Sequence, residues 1–184
     1  GAVSYLNTLP LVEGLGKLAD IALTLTAPAR LIDLLLDGSI DAGLISLIDA
    51  QRSPEALALM PVGMIASDGP TMTVRLFSTK PIDQITSVAV DADSHTSVAL
   101  LRLILAHVYN ARPRITELDI ESTLGKGGAE GSTLQDHDAV LIIGDKVVTS
   151  ALAMERYPHQ IDLGEQWKAL TGLPCVYAVW MCRA

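Results

Sequence analysis

The stretch SVAVDADSHTSVALLRLILAHV, residues 87–108, decides how the chain is built. Its first five residues are a short Val-rich apolar run, and from Ser94 to Val108 the pattern becomes that of a long apolar helix. A short apolar run feeding a helix is the βα unit from which mostly parallel sheets are made. The pattern recurs on both sides. Residues 139–143 read as a strand and residues 145–155 as a helix. Toward the N-terminus, residues 2–4 end a strand and lead through Asn7-Thr8 into a helix with Pro10 in its first turn, where a missing N–H is tolerated. Residues 21–25 are a second strand and 41–46 a third. Between them, Pro28 to Leu36 is a helix with Leu31, Leu34 and Leu35 on one face, stopped by Asp37-Gly38.

The alternation breaks after Met60. Residues 62–66 and 73–78 read as strands around the turn Ser67-Asp68-Gly69-Pro70, with no helix between them, which predicts a crossing connection. Residues 174–182 are a strand of the kind that runs back into the first lobe. Two linking strands make a hinge over a cleft. The expected architecture is therefore two-lobed α/β, with residues 1–77 plus 172–184 as the first lobe and 78–171 as the second.

Bulk composition narrows the function classes. Hydrophobic residues make up 49% of the 184 residues and charged ones 18%, the balance of a globular protein with a real core. A formal charge of -8 and an aromatic content of 4% argue against nucleic acid, which needs clustered cations or stacking platforms. The apolar run from Val98 to Leu105 is far too short to span a bilayer, so no membrane partner is expected. The opening residues carry no secretory pattern. Cys175 and Cys182 lie seven apart in one strand, on opposite faces, and are not expected to pair; two unpaired thiols suit a reducing cytoplasm.

Familiar catalytic signatures are absent: there is no H-E-x-x-H, G-x-x-x-x-G-K-[ST], G-x-S-x-G or C-x-x-C. The loop from Gly125 to Gly131 has Glu130 where a dinucleotide fingerprint needs glycine, and reads as a surface loop. His95, His107, His137 and His159 lack metal-ligand spacing, so neither a metal nor another cofactor is expected. What remains is a set of small polar residues where strands end and helices begin, the positions that face a crevice in open α/β sheets. They are Ser4-Tyr5-Leu6-Asn7-Thr8, Ser46, Ser94-His95-Thr96-Ser97 and Gly144-Asp145. Each has a local explanation as a helix cap. Together, helix N-termini converging on a cleft would hold a carboxylate without Lys or Arg, which suits an acidic protein with an anionic small ligand.

Several fragments, in order, resemble the chorismate dehydratases of the futalosine route to menaquinone. They are GAVSYLNTLPL (1–11), IDAGLIS (40–46), TVRLFS (73–78), DSHTS (93–97), LIIGD (141–145), DLGEQW (162–167) and TGLP (171–174). The opening V-S-Y-L-N-T-x-P-L is the most telling. Thr73 and Cys175 stand where that family is expected to have Ser and a larger apolar residue. The chain starts inside the first strand and stops soon after Trp180, where the family continues into further helices.

The resemblance implies a type II periplasmic-binding-protein-like fold and a lyase that dehydrates chorismate to 3-[(1-carboxyvinyl)oxy]benzoate. It implies Asn7 as the central polar contact. Ser4, Tyr5, Ser46, Thr73, Ser94, Thr96 and Ser97 are then substrate-binding, with a helix-cap role open for Ser94. The proton acceptor is either Asp145 or the substrate's own side-chain carboxylate. Two alternatives stand beside it: the sister enzyme that releases 1,4-dihydroxy-6-naphthoate, and a non-enzymatic receptor for a small anion.

Overall fold

The computed structural model describes residues 1–120, 133–149 and 156–184. The loop 125–131 and the end of the helix expected over 145–155 lie outside the described residues. The chain divides into two compact units, Gly1–Ala66 with Asp93–Thr96 and Val176–Ala184, and Ser67–Ala92 with Ser97–Cys175.

In the first unit, β1 (Ala2–Val3) pairs in parallel with β2 (Leu25–Thr26). A second, three-stranded sheet runs in the order β3 (Ala42–Ser46), β10 (Cys175–Arg183), β4 (Leu57–Ser67). The strand expected over 21–25 shrinks to its last residue and Thr26, because β1 offers it only two partners, Ala2 for Leu25 and Val3 for Thr26. The turn after β1 is a 3-10 segment, Leu6–Thr8, running into α1 (Leu9–Val12) with Pro10 in the first turn as predicted. Helix α2 (Pro28–Leu36) has the predicted bounds. Its Leu31, Ile32 and Leu35 pack with Val3, Ile40, Ile45 and Met181 into one core. Burying each of these leucines stabilises the unit by about 1.5–3 kcal/mol. A short helix, α3 (Leu47–Arg52), follows β3 directly.

The second unit holds a five-stranded sheet in the order β7 (Arg114–Leu118), β6 (Ser87–Asp91), β8 (Ala139–Ile143), β5 (Val74–Ser78), β9 (His159–Asp162). β6 runs parallel to β7 and β8, while β5 is antiparallel to β8 and β9, so the sheet is mixed. Every residue of the central strand Ala139–Ile143 is buried, which is why it reads as an unbroken apolar run. Three further α-helices are described: α4 (His95–His107), α5 (Lys146–Thr149) and α6 (Leu163–Thr171).

The boundaries differ from the expected 1–77 plus 172–184 and 78–171: the change of unit falls at Ser67, the chain returns to the first unit at Val176, and Asp93–Thr96 belongs to the first unit. Val74–Ser78 hydrogen-bonds along its length to β8, Val74 opposite Ile143 and Ser78 opposite Ala139, and that pairing decides its membership. The last strand does run back into the first unit, with Ala178 opposite Ser46 and Cys182 opposite Ala42. Cys175 and Cys182 are not joined by a disulfide.

Asp138 lies at the start of β8 and ties it to two loops. Its carboxylate meets Lys80 Nζ at 2.7 Å and accepts the Thr86 N–H and hydroxyl, each at 2.8 Å. These contacts, the Lys80 bond first, hold its pKa well below the carboxylate value of 3.8. A depressed folded-state pKa contributes stability above the unfolded value that is lost as pH falls. Asp138→Asn should therefore be less stable than the native protein near neutrality, and the gap should close as pH falls from about 5 to about 2. Chemical denaturation across that range checks it; a gap that stays constant would mean the carboxylate's charge is not what stabilises.

Candidate functional site

The expected site residues fall into two groups, one in each unit. In the first unit, β1 delivers the chain into the turn Ser4–Thr8. Ser4 and Asn7 are exposed there, and Thr8 is fully buried, anchoring the turn by its N–H to the Tyr5 carbonyl at 3.0 Å. Asn7 Oδ1 accepts the Thr8 hydroxyl at 3.4 Å. Tyr5 is half-buried, and its hydroxyl donates to Asp93 Oδ2 at 3.2 Å. Ser46 is buried at the junction of β3 and α3, where it stands at the N-cap without a capping side-chain bond.

The segment Asp93–Thr96 is built into the same unit. The Asp93 carbonyl accepts the Ala29 N–H at 3.1 Å. Thr96 Oγ1 donates to the Tyr177 carbonyl at 3.0 Å and accepts the Ile48 N–H at 3.4 Å, so its proton is committed inside the protein. Between them, His95 Nδ1 sits 2.8 and 3.0 Å from the two carboxylate oxygens of Asp49. Asp49 is buried, in the first turn of α3, and His95 keeps 36% of its side chain exposed. Ser94, beside it, is buried. Ser4, Tyr5, Asn7, Ser46, Ser94 and Thr96 thus all belong to one unit, which also holds a histidine–aspartate pair that sequence reasoning did not identify. His95 was legible as one histidine among four. Asp49 carried no signal at all, because nothing local distinguishes a buried carboxylate 46 residues from its partner.

In the second unit, Thr73 precedes β5 and its carbonyl accepts the Gly144 N–H at 2.8 Å, which sets Thr73 next to the turn that carries Asp145. Both side chains are half-buried. Ser97 is buried in the first turn of α4. Beside Asp145, Lys146 reaches Asp91 Oδ2 at 2.8 Å, with side-chain exposures of 10% and 1%. Asp91 ends β6 and Lys146 follows β8, so this pair lies at the carboxyl ends of two parallel strands, the edge at which open α/β sheets gather polar chemistry. Sequence reasoning missed this pair too. Among the described residues, no cluster of His, Cys, Asp and Glu has the makings of a metal site, and no helix is long and apolar enough to cross a membrane.

A family model described as menaquinone biosynthesis matches residues 1–184. The chain is 32% identical to the chorismate dehydratase of Thermus thermophilus over 197 aligned residues, covering 100% of this chain and 69% of the relative. Among solved structures, an Archaeoglobus fulgidus protein superposes with a TM-score of 0.67 at 14% identity, over 96% of this chain and 63% of that one. The alkanesulfonate-binding protein of Xanthomonas axonopodis, solved with MOPS bound, gives 0.60 at 16% identity over 100% of this chain and 64% of that one. The periplasmic aliphatic sulphonate-binding protein of Escherichia coli gives 0.51 at 18%, covering 96% and 59%. The fold is that of the substrate-binding proteins.

Proposed function

Because the chain belongs to the menaquinone biosynthesis family, we propose that it dehydrates chorismate to 3-[(1-carboxyvinyl)oxy]benzoate. The observation that carries this reading is the 32% identity to a chorismate dehydratase across the whole of the chain. The reaction breaks one ring C–H bond beside the ether oxygen and one C–O bond to the neighbouring hydroxyl. The C–H electron pair enters the ring, which becomes aromatic, and hydrogen and hydroxyl leave together as water. Aromatisation supplies the driving force. The protein's task is then to orient a dicarboxylate and to stabilise charge as it shifts, work done by placed hydrogen bonds.

The turn after β1 fits that task. Ser4 and Asn7 are exposed on it, and their side chains offer a hydroxyl and an amide to an incoming carboxylate. Tyr5 braces the turn through its hydroxyl proton, which goes to Asp93, and Thr96 gives its hydroxyl proton to the Tyr177 carbonyl. An amide is no base, so Asn7 orients and polarises.

Incubating the protein with chorismate and following products by chromatography and mass should show loss of one water. Asn7→Ala should lower turnover by about tenfold or more, the worth of a hydrogen bond of about 1.4 kcal/mol felt in the transition state. Asn7 is exposed, so the variant should fold as the parent does. Full turnover in that variant would remove Asn7 from the mechanism. Chorismate recovered unchanged, while raising the melting temperature, would favour a binding protein, the role named for the sulfonate-binding neighbours that share the fold.

A further inference from the structure

Four contacts of differing chemistry pin the segment Asp93–Thr96 within the first unit. Three involve no imidazole: the Ala29 N–H to the Asp93 carbonyl, the Tyr5 hydroxyl to the Asp93 carboxylate, and the Thr96 hydroxyl bridging Ile48 and Tyr177. The fourth is the contact of His95 Nδ1 with both oxygens of Asp49, at 2.8 and 3.0 Å. Imidazole is the side chain that changes charge in this range. Asp49 is 4% exposed, so its carboxylate depends on protein partners, while His95 is open enough to exchange its proton with solvent.

We infer that His95 is a positioning residue: clasped by Asp49, its charge state sets how firmly the 93–96 segment is held, and through Asp93 and Tyr5 how the Ser4–Asn7 turn is presented to an anionic ligand. The identity of that ligand rests on the dehydratase reading; the clasp does not. When His95 is protonated the contact is a charge-assisted hydrogen bond. When it is neutral, an Nδ1–H can still donate, at about half the strength. The other charged or titratable groups nearby are Arg52, one turn along α3 from Asp49, Asp93 on the segment itself, and Tyr5 facing Asp93. The amine of Gly1, in the same unit, has its pKa lowered from 8.0 by burial, so a comparison that keeps it is needed. His95→Arg is that comparison, since guanidinium stays charged throughout and can meet a carboxylate with two parallel bonds.

KM and kcat for chorismate are to be measured from about pH 6 to about pH 9 for the native protein, His95→Arg and His95→Gln, with melting temperatures recorded alongside. In the native protein KM should rise about fivefold over that range with kcat nearly constant, the effect of losing one charge-assisted contact of a partly exposed pair. KM of His95→Arg should be flat, and that of His95→Gln should be raised at every pH. The melting temperature of His95→Arg should gain on the native protein as pH rises. A flat native KM, or a His95→Arg curve that follows the native one, would overturn the inference and place any titration elsewhere, the Gly1 amine included. If the native protein leaves chorismate untouched, the dehydratase reading fails and the clasp is judged by melting temperature alone. A difference between native and His95→Arg that widens with pH would then uphold it, and a constant difference would sink it.

Discussion

Lys146→Met is expected to destabilise the second unit by about 3–5 kcal/mol, the usual cost of removing one member of a buried ion pair. Lys146 Nζ lies 2.8 Å from Asp91 Oδ2, and the Asp91 side chain is 1% exposed. Taking away the cation leaves a carboxylate at the end of β6 that water can barely reach. Asp91→Leu should cost a comparable amount by removing the anion that faces the Lys146 ammonium. The pair itself is a different matter, because two charges withdrawn from water regain in attraction little more than they lose in hydration. Asp91→Leu combined with Lys146→Met should therefore be less destabilised than the sum of the single changes by more than about 1 kcal/mol. Urea unfolding of the four proteins closes the cycle. A Lys146→Met variant within about 1 kcal/mol of the parent would show that other contacts, not the ion pair, satisfy Asp91.

The second large effect should follow Asp162→Ala, with a loss of about 3–4 kcal/mol. Asp162 is buried at the N-cap of α6, where Oδ1 accepts the N–H groups of Gly164 and Glu165 at 2.9 and 3.2 Å. The same carboxylate accepts from the Thr71 N–H at 2.9 and 3.0 Å, the Thr71 hydroxyl at 3.0 Å and the Met72 N–H at 2.7 Å. One side chain thus caps a helix and holds the turn before β5. It also fixes Met72, a non-glycine residue at φ 63, in the left-handed region. For a chain of this length the loss corresponds to a fall in melting temperature of about 6–16 °C.

Asp162→Asn should be intermediate, since the amide oxygen can serve one arm while its NH2 faces donors on the other. Gly164 belongs to the same construction. A Cβ there would lie 2.6 Å from Thr71 Cγ2 and 2.7 Å from Ser67 Oγ and would collide with the Gly69 carbonyl oxygen, so Gly164→Ala should cost about 1–3 kcal/mol. Asp162→Ala melting within a degree or two of the parent would refute this account of the turn.

The elements most legible in the sequence were those whose burial is total or strictly one-sided. Residues 87–91 and 139–143 are buried along nearly their whole length, and Pro28–Leu36 buries a single stripe, so apolar pattern alone bounds all three. β7 and β9 went unread. They are the edges of the five-stranded sheet, and their sequences RITEL and HQID mix charge with apolar residues because, among the described residues, one side of each has no strand to meet. α3 was missed because six residues are too few to declare a helical period. β4 begins five residues before the run 62–66 and ends one residue after it, since its exposed and half-buried positions give no sharp boundary.

For the candidate site, sequence by itself determined which turns carry hydroxyls and amides, because those residues sit where apolar runs stop, and it determined the family through the ordered fragments from Gly1 to Pro174. Which of those groups face outward and which are spent inside was decided only by tertiary structure. Thr96 and Tyr5 look the same on paper as Ser4 and Asn7, yet their hydroxyls are taken up by Tyr177 and by Asp93. The pairs Asp49–His95, Asp91–Lys146 and Asp162–Thr71 likewise join segments far apart in the chain. Apolar burial is a sum over many weak contacts and leaves a periodic trace in the sequence. A hydrogen bond or ion pair is one contact between two atoms, and its partner is chosen by the closure of the chain, which no local pattern records.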